Sequence, residues 1–221
     1  MVRHQAESAV RREPLCFTAA VARPSRAPQP PEAPRLEDAS GESPGTLGPG
    51  ASVEGARLDE PDLAGLRARG LRLTDVEIVR GNLANSAAPE LALRRVAVTG
   101  ARLTGAQWTV GVIADTVFRD CRIDLATFAG TTFERVVFDG CLLAQADFRD
   151  ALLRCVRFDH CDLTEADMAG MRIDRCELRS CALDGLSGVE RLRGAAMPWA
   201  DIVGHAGLLA GALGIRILDD H

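Results

Sequence analysis

Four histidines, seven cysteines and many scattered carboxylates are the groups in this 221-residue chain that can transfer protons, bind metal or act as nucleophiles. The histidines are His4, His160, His205 and His221, and none has a second ligand at metal-binding spacing. The cysteine count is odd and no two are spaced CxxC, which argues against a disulfide framework and against a zinc site. Asp159-His160 beside Cys155 comes nearest to a catalytic cluster, and alternating charge on a solvated face accounts for it better. No serine has a nucleophile-elbow context, and no glycine-rich loop has the spacing of a phosphate cradle. The expectation is no catalytic residue, no metal ligand, no cofactor and no enzyme.

Charge narrows the partners. All 26 basic residues are Arg, against 31 acidic residues, for a net charge of −5. A nucleic-acid binder usually carries a basic surplus to neutralise phosphates, so direct nucleic-acid binding is not expected. No run approaches the roughly 20 apolar residues that span a bilayer. Arg3, His4 and Glu7 stand where a signal peptide needs an apolar core. A cytoplasmic protein without membrane contact is expected.

The elements that would position any site divide the chain in three. Residues 1–55 hold Pro14, Pro24, Pro28, Pro30, Pro31, Pro34, Pro44 and Pro49 among Ala, Arg, Ser and Gly. Such a composition buries too little apolar surface to offset the entropy of ordering, so a disordered tail is expected, with Leu15-Cys16-Phe17 as its one candidate anchor. From Ala56 to Gly185 the chain repeats in fives. Large apolar residues recur through 26 registers from Leu58 to Leu183, with Ala68 and Ala88 the small exceptions. Two places earlier runs a second, mostly small track, and neither track carries a charge.

A period of five fits neither the 3.6 of a helix nor the 2 of a strand. It suits a chain that turns every five residues, pointing two side chains inward and three outward. Ala146-Asp147-Phe148-Arg149-Asp150, Ala151-Leu152-Leu153-Arg154-Cys155 and Cys161-Asp162-Leu163-Thr164-Glu165 resemble pentapeptide repeats, and the pattern covers about 130 of the residues. The resemblance implies an all-β solenoid, a right-handed quadrilateral β-helix of 20-residue coils. Residues 20 apart then stack in columns: Phe118, Phe138 and Phe158 in one, and Cys121, Cys141, Cys161 and Cys181 in another. The thiol column reads as small buried hydrophobes, and Cys155 is the one repeat cysteine pointing outward. Asn85 to Glu90, with Pro89, is expected to form a bulge.

Residues 186–221 read as a C-terminal cap, with a helix at about 199–213 followed by a short strand at Ile215 to Leu218. The function expected is a non-catalytic scaffold presenting flat faces to an unidentified protein partner. Val112, Val117, Val137 and Leu152 form a candidate apolar docking patch on adjoining faces. The face centred on Leu73, Leu93, Ile113, Phe133, Leu153 and Ile173 carries seven Arg and four acids, whereas Asp147, Asp150, Asp162, Glu165, Asp167 and Asp184 form an acidic edge, the candidate partner surface. Some members of the resembled family mimic duplex DNA, inhibit DNA gyrase and protect against fluoroquinolones, which makes gyrase modulation the alternative function. Relatives that dimerise through C-terminal helices make the cap helix a candidate homodimer surface.

Overall fold

Every residue whose number is a multiple of five, from Gly50 to Gly185, has a positive φ. This left-handed kink turns the chain at each quintet. The computed structural model describes residues 28–35 and 47–218, and the longer range is an all-parallel β-solenoid closed by a C-terminal cap. Its strands are β1 (Ser52–Glu54), β2 (Arg57–Asp59), β3 (Arg72–Val79), β4 (Ala92–Thr99), β5 (Val112–Arg119), β6 (Thr132–Asp139), β7 (Leu152–Asp159) and β8 (Arg172–Arg179). Each strand from β3 to β7 pairs with the next at an offset of twenty residues, as in Phe118↔Phe138. Each of these strands spans two faces of its coil and bends at a left-handed residue in its middle, Asp75 in β3 for example. The other two faces are tight turns joined by single bridges, such as Asp147↔Asp167.

The inward tracks fill the coil. Phe118, Phe138 and Phe158 stack with ring centroids 5.0 Å apart and planes within 7° of parallel, close to the spacing of the strands themselves. All three are fully buried, and each is worth about 2–3 kcal/mol of apolar burial. Trp108 breaks the stacking geometry of its column and meets Phe128 edge-on at 80°. Its indole N–H donates to the buried Ser86 hydroxyl at 3.1 Å, so a small-track serine satisfies the one polar atom of the large track.

Several expectations need correction. The solenoid begins at β1, inside the segment assigned to the tail, because Ser52–Glu54 already pair with β3. Most of the expected disordered tail, with Leu15-Cys16-Phe17, lies outside the described residues. The bulge expected at Pro89 is absent: Ala87 bridges Gln107 in register, and the Pro89 carbonyl accepts from the Gly70 N–H at 2.8 Å. At the equivalent position of other turns the N–H points at a side chain of its own quintet, as Arg149 N–H does toward Asp147 Oδ1 at 2.9 Å. A proline there removes no inter-coil hydrogen bond.

The offset of twenty holds to Asp167↔Ser187. It then slips, and Ala196 bridges Glu177 one residue short, after a 3-10 turn at Val189–Leu192. The expected single helix is two, α1 (Trp199–Gly204) and α2 (Ala206–Ala212), divided at His205. The division follows from the cap's polar contacts. Asp201 Oδ2 accepts from the Ser180 N–H at 2.7 Å, and the ring Nε2 of His205 donates to the Cys181 carbonyl at 2.9 Å. Two ladder groups of the last coil thereby find partners that no further strand supplies. Residues 215–218 are not a strand, and Ile217 instead lies against Gly207 of α2.

Candidate functional site

One column of left-handed residues reads Asp75, Arg95, Asp115, Arg135, Cys155, Arg175. It runs along the bend of β3 to β8, and stacking at twenty-residue intervals makes its alternating charges neighbours. Arg95 grips Asp75 with both arms of its guanidinium, Nε to Oδ1 at 2.7 Å and Nη2 to Oδ2 at 2.5 Å. Arg135 grips Asp115 the same way, at 2.6 and 2.8 Å. The carboxylates are 9% and 6% exposed, the arginines 20% and 27%. Such forked pairs are strong because both charges are hydrogen-bonded and partly desolvated. The Arg95 hydrogen bonds hold the Asp75 carboxyl down at about 2 against the penalty of burial, and the Arg35 N–H adds to the effect. Asp115 is lowered likewise, by Arg135 first.

Residues 28–35 lie along this column. The Arg35 N–H donates to Asp75 Oδ1 at 3.0 Å, and the Glu32 N–H to Asp115 Oδ1 at 3.4 Å. Each oxygen thus serves a guanidinium and a backbone amide together. Pro28, Pro31 and Pro34 are half-buried, while Gln29, Pro30, Glu32, Ala33 and Arg35 are exposed. Arg35, Asp75 and Arg95 also line an open cleft of about 410 Å³ with Glu54 and Gly55. Cys155 occupies the next column position, at outward register yet only 5% exposed, which corrects the expectation of an exposed thiol.

The acidic edge occupies the two turn faces of the later coils. Asp147 and Asp167 are bridge partners, and Asp162 lies on the neighbouring turn face. Asp162 and Asp167, like Asp147, each accept the N–H two residues on, at 2.9 Å, so three of the six candidates close turns. Arg149 bonds Asp147 at 3.0 and 2.8 Å and lies 3.7 Å from Asp167. Burial pushes the Asp147 carboxyl up, but hydrogen bonds from the Arg149 side chain and backbone and from Thr127 outweigh it and leave it below its ordinary value. Glu165 accepts from Gln145 at 2.6 Å. Asp150 and Asp184 are exposed, Asp150 at a left-handed corner. The structure brings the six onto adjoining faces but commits half of them to local geometry.

Of the expected apolar patch, Val112 is 48% exposed, whereas Val117, Val137 and Leu152 are only partly so. Val110, Leu125 and Leu142 are the other large apolar residues exposed on the coils. The thiols of Cys121, Cys141, Cys161 and Cys181 are buried and donate to main-chain carbonyls, Phe118 O for Cys141 at 3.4 Å. Burial pushes the Cys176 thiol up to about 12, away from reactive thiolate. His160 faces solvent beside Asp159 at 3.0 Å. Among the described residues, no three His, Cys, Asp or Glu converge as a metal site, and no helix is long and apolar enough to cross a membrane.

Neither the column nor residues 28–35, which form a strap along it, shows in the distribution of charge along the chain. The signals were Asp, Arg, Asp, Arg at twenty-residue spacing and proline at 28, 31 and 34.

Square coils of five-residue sides, stacked in register and filled by two inward tracks, define a pentapeptide-repeat β-helix. Residues 111–187 match the family model of the pentapeptide repeat region, so this stretch of the solenoid is a pentapeptide-repeat region. Among solved structures it is similar to QnrB1, a plasmid-mediated fluoroquinolone resistance protein, at 14% identity and a TM-score of 0.36, over 74% of this chain and 100% of that one. It is also similar to HetL, a pentapeptide repeat protein involved in heterocyst differentiation regulation in the cyanobacterium Nostoc sp. strain PCC 7120. There the identity is 17% and the TM-score 0.38, over 68% of this chain and 84% of that one. No curated protein matches.

Proposed function

We propose that this protein is a non-catalytic scaffold whose solenoid faces receive a protein partner. The observation that carries this reading is the use to which its chemical groups are put. Buried thiols bond to carbonyls, the buried carboxylates Asp75 and Asp115 sit in arginine forks, and Asp147, Asp162 and Asp167 close turns. What remains free is surface: Val110, Val112, Leu125 and Leu142 on the coils, at 43–67% exposure, and Trp199, Val203 and Leu213 on the cap. The cap set suits a second copy of the chain, and a homodimer through the C-terminal helices belongs to the same proposal.

Affinity capture from the source cell with the full chain, repeated with Leu125→Asp/Leu142→Asp and with Trp199→Glu, tests the reading. It predicts a stoichiometric partner lost on the coil variant, and a dimer that becomes a monomer on the cap variant, both at unchanged melting temperature. Capture indifferent to both changes argues against it.

A further inference from the structure

We propose that the column from Asp75 to Cys155 is a binding site for proline-rich peptide in the polyproline-II conformation, filled here by the chain's own residues 28–35. The proposal deepens the scaffold reading by naming the ligand of one face.

Three independent features of the contact agree. Proline fixes φ and biases the residue before it toward extended backbone, so Gln29-Pro30-Pro31 and Ala33-Pro34 favour polyproline II over helix. A polyproline-II helix has three residues per turn and no internal hydrogen bonds. Exposure along the strap follows that period: Pro28, Pro31 and Pro34 face inward, and the residues between face out. A β-strand would alternate in twos.

The second feature is where the free amides go. Polyproline II leaves every backbone N–H without a partner, and proline has none to offer. The residue after each inward proline does, and two of them, Glu32 and Arg35, donate to Asp115 and Asp75. The arginine forks pre-set both acceptors: Arg95 and Arg135 fix the carboxylates' orientation and keep them ionised.

The third is length. Three polyproline-II residues advance about 9.3 Å, and two coils about 9.6 Å, so successive prolines meet successive acceptors forty residues apart. Continued one step, the register puts Gln29 at Cys155. The ligand rule is a proline every third residue, each followed by a residue other than proline. Pro28-Gln29, Pro31-Glu32 and Pro34-Arg35 all obey it.

The test uses the full chain with Pro28, Pro31 and Pro34 changed to Gly, which opens the site without touching the solenoid. The probe is a fluorescent synthetic peptide of residues 27–36. The expected results are micromolar binding to the opened chain, binding at least tenfold weaker to the unmodified chain, and at least tenfold loss when Asp75→Ala and Asp115→Ala are added. Arg95 and Arg135 are exposed enough to rehydrate in that variant, and an unchanged circular dichroism spectrum checks its fold. Amide exchange in the unmodified chain is a second readout. Glu32 and Arg35 are expected to exchange at least tenfold more slowly than Ala33. Protected amides without binding in trans overturn the ligand site and leave a fixed strap. Unprotected amides without binding overturn the contact itself. Neither outcome bears on the faces tested by affinity capture.

Discussion

The backbone N–H of Arg35 and the side-chain Nε–H of Arg95 donate to one oxygen, Oδ1 of Asp75, at 3.0 and 2.7 Å. One carboxylate therefore joins the strap to two successive coils, and its ionisation is coupled to both contacts. The Asp75 carboxyl sits at about 2, below its ordinary 3.8, so the folded state favours the ionised form. The stability it contributes is fully present above about pH 4 and is lost as pH falls toward 2. Exchange protection of the Arg35 amide should follow the same window. Protection lost between pH 7 and 5 would assign the contact to some other group.

Phe138 lies between Phe118 and Phe158 with no exposed surface, whereas its neighbour Asp139 pairs with Arg119 at 3.2 Å on the outside. Phe138→Asp should cost several kcal/mol by burying an unpaired charge. Asp139→Ala should change stability by less than about 0.5 kcal/mol, as exposed ion pairs are worth little. Equal denaturant midpoints for the two variants would refute the inward register.

Val110 holds a φ of 55° with its side chain 67% exposed. A β-branched residue is strained there and gains no burial in return. Val110→Asn is expected to raise stability by about 1 kcal/mol, since Asn tolerates the left-handed region without the unfolded-state entropy of glycine. A fall in melting temperature would show that the valine earns its place through contacts.

His205→Ala should remove the donor to the Cys181 carbonyl and cost about 1–2 kcal/mol, because a ladder acceptor at a largely buried residue loses its partner. The denaturant midpoint should fall with the slope unchanged. A variant as stable as the parent would mean that water replaces the imidazole at no cost.

Purified protein should show little or no inhibition of DNA supercoiling at low micromolar concentration. Residues 71–185 hold 14 Arg against 17 acidic residues, and Arg149 partly neutralises the acidic edge. A duplex mimic needs a continuous negative surface. Potent inhibition abolished by Asp147→Asn, Asp150→Asn and Asp167→Asn would make gyrase modulation the function instead.

The coil was legible because its rule is local and repeated: inward positions exclude charge, and the Phe118, Phe138 and Phe158 column follows from counting by twenty. Pro89 misled because a missing N–H matters only where the N–H would reach another coil, and at that turn position it does not. The division at His205 depended on one imidazole meeting a carbonyl 24 residues earlier, a contact with no trace in helical periodicity. The strap was hidden for the opposite reason from the core. It is ordered by backbone amides meeting distant carboxylates, so composition, which speaks only to apolar burial, says nothing about it. The acidic edge was legible as charge but not as turn closure, which needs the direction of each side chain.

Two rulers of nearly equal graduation lie side by side where the strap meets the coils. Each three-residue step of the peptide falls short of its two-coil interval by about 0.3 Å. The deficit grows to about 1 Å after three steps, enough to carry an amide out of hydrogen-bonding range of its carboxylate. The solenoid thus reads only a short run of prolines, about nine to twelve residues, however long the tract. Lengthening the proline tract would add no contact at the site; it would only multiply the places where the same short run can land, a statistical gain.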